Sequence, residues 1–98
     1  MARSKLALVH VRDACDGPWS RVNGMRSARV EVTDLGPGEA VRIEFEEPTP
    51  AGLQLGVLPL DSGVQDIMMQ NWRRYRVCKS VPDGIGTRYT TVEIFPNG

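Results

Sequence analysis

Apolar and polar residues alternate with a period of two along almost the whole chain, and Gly, Pro, Asp and Asn interrupt the alternation at intervals of roughly 8 to 12 residues. That rhythm predicts an all-β fold of seven to eight short strands in two antiparallel sheets, a β-sandwich wired as a jelly roll or like an immunoglobulin domain. No stretch of ten or more residues carries the i, i+3, i+4, i+7 spacing of an amphipathic helix.

The first expected strand is Lys5 to Arg12, with Leu6, Leu8 and His10 on one face and Ala7, Val9 and Val11 on the other. Apolar residues on both faces imply burial between layers or against a neighbour. Asp13 to Gly24 reads as a loop, with turn chemistry at Asp16-Gly17-Pro18 and Asn23-Gly24 around Trp19 and Val22. Arg26 to Val32 and Ala40 to Glu46 are half-buried strands: Ala28, Val30 and Val32 alternate with Arg29 and Glu31, and Val41, Ile43 and Phe45 alternate with Arg42, Glu44 and Glu46. The turn at Leu35-Gly36-Pro37-Gly38 separates them.

Beyond the break at Pro48 to Gly52, Leu53 to Leu58 sets Leu53, Leu55 and Val57 in step, while Gly56 and Pro59 point to an edge strand or a bulge. Gln65 to Gln70, with Ile67 and Met69, is either a short strand or a single helical turn. Trp72 to Val81 and Thr87 to Phe95 form a hairpin about Pro82 to Gly86. In its second arm Thr90, Val92 and Ile94 alternate with Tyr89, Thr91 and Glu93.

A chain of 98 residues closes one core, so residues 1–98 are expected to form a single sandwich domain. Lys plus Arg and Asp plus Glu number twelve each, which removes the broad positive field of a non-specific nucleic-acid binder and suits a subunit of an assembly. Apolar runs such as Leu6 to Val9 fall far short of the roughly 18 residues that span a bilayer, so no membrane association is expected. His10, Arg12 and Asp13 interrupt any signal-peptide core, which implies a cytoplasmic product. Cys15 and Cys78 match no metal-binding spacing, and in a reducing compartment they are read as free thiols, with a disulfide between them as the less favoured alternative.

Catalytic signatures are absent: there is no G-x-S-x-G elbow, phosphate-cradling loop or H-E-x-x-H, and the one histidine, His10, lies mid-strand as a structural or interface residue. The chain is therefore read as a non-enzyme with no cofactor and no metal. Glu44 and Glu46 share a strand face, where carboxylates ordinarily serve solubility, and Asp13 and Asp16 read as turn residues. Arg73, Arg74, Arg76 and Lys79 form a basic cluster interleaved with Trp72 and Tyr75, the mixture that single-stranded nucleic-acid platforms use. Trp72, Arg74, Tyr75 and Arg76 would carry that alternative, but alternation turns Tyr75 away from Arg74 and Arg76. The patch Met68-Met69 with Asn71-Trp72 suits either a protein interface or one end of the core.

Two runs carry a family resemblance. Gly24 to Val32 leads through a Pro-Gly turn to Val41-Arg42-Ile43-Glu44-Phe45, and Trp72-Arg73-Arg74-Tyr75-Arg76-Val77 leads through a Gly-bearing turn to Thr90-Thr91-Val92-Glu93-Ile94. This order resembles small tailed-bacteriophage virion proteins, above all the β-sandwich decoration or cement proteins of capsids, over about four-fifths of the chain. Leu53 to Gln70 has no counterpart, and Leu35 to Glu39 is also similar to a turn of fibronectin type III modules. The resemblance implies a protein made in the host cytoplasm that docks on the assembled shell at the virion surface, with the major capsid protein or other virion proteins as partners, often as a homo-trimer. A tail or head-completion component is the close variant, and a small single-stranded nucleic-acid-binding barrel the other alternative. Leu6, Val9, Trp19, Met68, Met69 and Trp72 are the contact candidates, chosen for apolar bulk.

Overall fold

A computed structural model describes residues 7–15, 19–22, 24–69, 71–82, 84, 86 and 88–97. Leu6, Asp16 to Pro18, Asn23, Gln70, Asp83, Ile85 and Thr87, all used in the sequence reading, lie outside the described residues. Eight strands follow one another: β1 (Ala7–Val11), β2 (Ser20–Arg21), β3 (Ser27–Thr33), β4 (Ala40–Thr49), β5 (Gly52–Leu60), β6 (Gly63–Met68), β7 (Arg74–Ser80) and β8 (Thr90–Pro96). There is no helix among the described residues.

The strands form two four-stranded antiparallel sheets, in the orders β1-β8-β3-β6 and β2-β7-β4-β5. The pairs β1·β8, β2·β7, β3·β6 and β4·β5 are those of one long hairpin closed between β4 and β5. Successive pairs alternate between the sheets, so the hairpin is wound into a jelly roll rather than an immunoglobulin arrangement.

Alternation decides the layers. Val11, Ala28, Val30, Val32, Ile67, Val92 and Ile94 of the first sheet meet Val41, Ile43, Leu60, Tyr75 and Val77 of the second, and Val22 and Met69 close the core from beside the strands. Each such aliphatic side chain contributes about 1.5–3 kcal/mol on leaving water. β-Branched residues dominate this interior, as a pleated surface favours. At one end Lys79 continues the inward face of Tyr75 and Val77. It is only 2% exposed, and its Nζ donates to the Arg88 carbonyl (3.1 Å) and pairs with Glu39 Oε1 (3.1 Å).

Several expectations are corrected. The expected hairpin of the last two strands is absent: β7 pairs with β2 and β4 and β8 with β1 and β3, in different sheets. Of the two readings of the segment from Gln65 the strand is the one that forms, β6 pairing with β3 from Gly63 to Met68, and Met69 lies beyond its end. The strand after the break is an edge strand, as Gly56 and Pro59 suggested, and Leu53, Leu55 and Val57 point away from the core. Register with β4 puts them on the outer face beside Pro48, Glu46 and Glu44, while Leu58 and Leu60 turn inward with Ile43 and Val41. The first strand is buried on one face only, and Leu8 on the other is half exposed. Lys79 belongs to the interior and not to a surface basic cluster. Cys15 and Cys78 are not free: they form a disulfide, because the chain leaving β1 crosses to the second sheet and pairs there with Cys78 of β7.

Candidate interaction face

The outer face of the β2-β7-β4-β5 sheet gathers most of the chemistry the sequence offers. The registers place Arg74, Arg76 and Cys78 of β7 beside Glu46, Glu44 and Arg42 of β4, and these beside Leu55, Val57 and Pro59 of β5. Arg21 of β2 lies opposite Arg74. The face therefore runs in bands: a disulfide and an aromatic residue on one side, a ladder of ion pairs in the middle, and an uncharged apolar stripe at the far edge.

Glu44 is the centre of the ladder. Arg76 Nε donates to its Oε1 (2.9 Å), with Arg76 Nη2 at 2.8 Å, and Arg42 Nε donates to its Oε2 (3.0 Å), with Arg42 Nη2 also at 3.0 Å. Arg42 Nη1 also donates to Ser80 Oγ. The Arg76 hydrogen bond, seconded by Arg42, holds the Glu44 carboxyl below its ordinary range although burial pushes the other way. Arg74 donates to Glu46 through both arms of its guanidinium, which likewise holds Glu46 low and raises Arg74. These carboxylates are structural members of the sheet surface rather than charges carried for solubility.

Trp19 lies over the same arginines, its ring centroid 4.4 Å from the Arg76 Cζ and 5.3 Å from that of Arg74. A guanidinium plane already satisfied by carboxylate makes a good seat for an indole. The tryptophan, half-buried, is thus held by the ladder. At the end of the face a groove of about 380 Å³ is lined by Arg21, Leu53, Arg73 and Arg74.

The contact candidates separate under this geometry. Trp19 is on the face. Met68 is 65% exposed, but on the outer side of β6 in the other sheet. Val9 packs against the core from β1. Met69 is fully buried and is corrected to a core residue, because the chain turns inward after β6 and its N–H donates to the Arg26 carbonyl. Trp72 is half-buried and stacked on Phe45 at 4.3 Å. The nucleic-acid set is dispersed: Tyr75 is in the core, where burial raises its phenol, Trp72 is engaged with Phe45, and Arg74 and Arg76 are committed to Glu46 and Glu44. Sequence reasoning missed the stripe Leu53, Leu55 and Val57, each more than half exposed.

His10 is exposed on β1 with its Nδ1 3.1 Å from Thr91 Oγ1. Cys15, Cys78 and Glu44 bring donor atoms within 4.8 Å of one another. The two sulfurs are bonded together and both carboxylate oxygens hold guanidinium groups, so this cluster opposes a cation rather than inviting one.

No family model matches the chain, and no curated protein matches it in sequence. Among solved structures it is similar to the crystal structure of the SPBc2 prophage-derived protein YomS, with a TM-score of 0.53 and 12% identity over 99% of this chain and 96% of that one. At that identity the likeness is one of fold, and it extends across both chains.

Proposed function

We propose that this protein is a bacteriophage virion component, a capsid decoration protein that docks on the assembled shell and stabilises it. The observation that carries the reading is the end-to-end likeness in fold to a prophage-derived protein, joined to the order of β3–β4 and β7–β8 that resembles capsid decoration proteins. The surface supports it: an outer sheet face pinned by ion pairs and a disulfide offers a rigid docking plane with Trp19 and an apolar stripe on it. Rigid aromatic and aliphatic anchors on such a plane are what protein contacts use. A tail or head-completion component is the close variant.

The test is reconstitution. Purified protein is mixed with shells assembled without it, and cryo-electron microscopy should reveal repeated surface density at symmetric positions, with the shells then surviving higher temperature and osmotic shock. Shells that neither acquire density nor gain resistance would remove the decoration role. Density confined to the tail or the portal vertex would select the variant.

A further inference from the structure

The edge strand β5 carries little of the usual protection. Natural edge strands carry Lys, Pro, bulges or inward charges that block pairing with another chain, yet Gly52–Leu60 contains no charged residue, has its one proline near its end at Pro59, and is paired through all nine residues with β4 on its other side. Leu53, Leu55 and Val57 are 51%, 58% and 54% exposed on its outer face. Gly56 lies under the Phe45 ring, so the middle of the strand approaches β4 without a side chain between.

We propose that β5 pairs antiparallel with β5 of a second copy about a two-fold axis through Leu55, joining two four-stranded sheets into one of eight. The sequence favours this register. Leu55 then faces Leu55 of the other copy, and each Leu53 faces the other's Val57, so every outward pair is apolar. Pro59, which has no N–H to give, falls opposite Ala51 in the turn, outside the new ladder. A shift of one residue would set outward side chains against inward ones.

A two-fold contact brings each patch against itself, so a charged strand would repel its own copy; this one has no charge to repel. Nine residues span about 30 Å and both layers of the sandwich edge together are 20 Å thick, so contact along the whole edge, β6 of the other sheet included, is bounded at about 600 Å² a copy and about 1,200 Å² in total, against the roughly 1,000 Å² a specific contact requires. β6, joined to β5 through Asp61 and Ser62, is the neighbouring edge of the other sheet, and its exposed Val64 and Met68 point to that sheet's own outer face. The inference needs no virion role, and it uses the strand whose outer stripe also forms part of the docking plane proposed above.

Light scattering on the purified full chain across micromolar concentrations should give the mass of two copies. Leu55→Lys, which sets two ammonium groups face to face on the axis, should raise the dimer dissociation constant at least 100-fold while the thermal unfolding of the chain persists. Leu8→Lys on the opposite edge should leave the dimer intact. Leu55→Cys should cross-link to a covalent dimer under mild oxidation, whereas Leu53→Cys should do so only when mixed with Val57→Cys. A monomer or a trimer at 100 μM, or a dimer indifferent to Leu55→Lys, overturns the proposal.

Discussion

The tip of the Phe45 ring reaches Gly56 on the neighbouring strand, so close that a methyl group at Gly56 would overlap the Phe45 Cζ, and the same ring is stacked on Trp72 at 4.3 Å. The glycine is there because the ring needs its space.

Gly56→Ala should therefore displace the Phe45 ring, disturb its stack on Trp72 and cost about 1–3 kcal/mol, the range of an overpacked core. Urea denaturation followed by tryptophan fluorescence reads both the stability and the disturbed stack. An unchanged midpoint would mean that the ring moves aside freely.

Two adjacent methionines should respond in opposite ways. Met69→Ala removes a fully buried side chain and should cost about 2–5 kcal/mol. Met68→Ala, on the exposed outer side of β6, should stay within about 0.5 kcal/mol. Equal losses would contradict the inward turn of the chain after β6.

Reduction of the Cys15–Cys78 bond frees a loop closed across 63 positions, for which chain entropy alone corresponds to about 4 kcal/mol. Denaturation with and without reductant measures the difference, and a double Cys→Ser variant should match the reduced protein. If the two curves coincide, the bridge contributes nothing to folding.

Acid should weaken the fold through three carboxyls. Glu39 is held low mainly by the Gly36 N–H and then by Lys79, Glu44 by Arg76 and Arg42, and Glu46 by Arg74. Each binds a proton less readily folded than unfolded, so their stabilisation is complete above the ordinary value of 4.5 and is lost as pH falls through the lower folded values. Melting temperature should be level from pH 7 to about 5 and drop below that. Glu44→Gln should lower the plateau and shallow the drop; a melting temperature insensitive to pH between 5 and 2 would rule the linkage out.

The sandwich was legible where only one face of a strand is apolar. Val30 and Val32, Val41 and Ile43, and Val92 and Ile94 all alternate with charged or polar neighbours, and all are buried. β5 defeats that reasoning because both of its faces are apolar: Leu53, Leu55 and Val57 compete with Leu58 and Leu60, and only register with β4 decides between them. Lys79 was legible in principle, since it shares parity with Tyr75 and Val77, but its charge invites a surface assignment until Glu39 and the Arg88 carbonyl are seen to receive it. Trp19 on its arginines and the pairing of Cys15 with Cys78 depend on a crossing between sheets that no spacing along the chain encodes.

The bridge from just beyond the first strand to the seventh makes the polypeptide between Cys15 and Cys78 a covalent ring. A protease that nicks any turn inside that ring, such as the one at Thr49 to Gly52, opens the circle without releasing a piece. The nicked chain would travel as one band until a thiol is added.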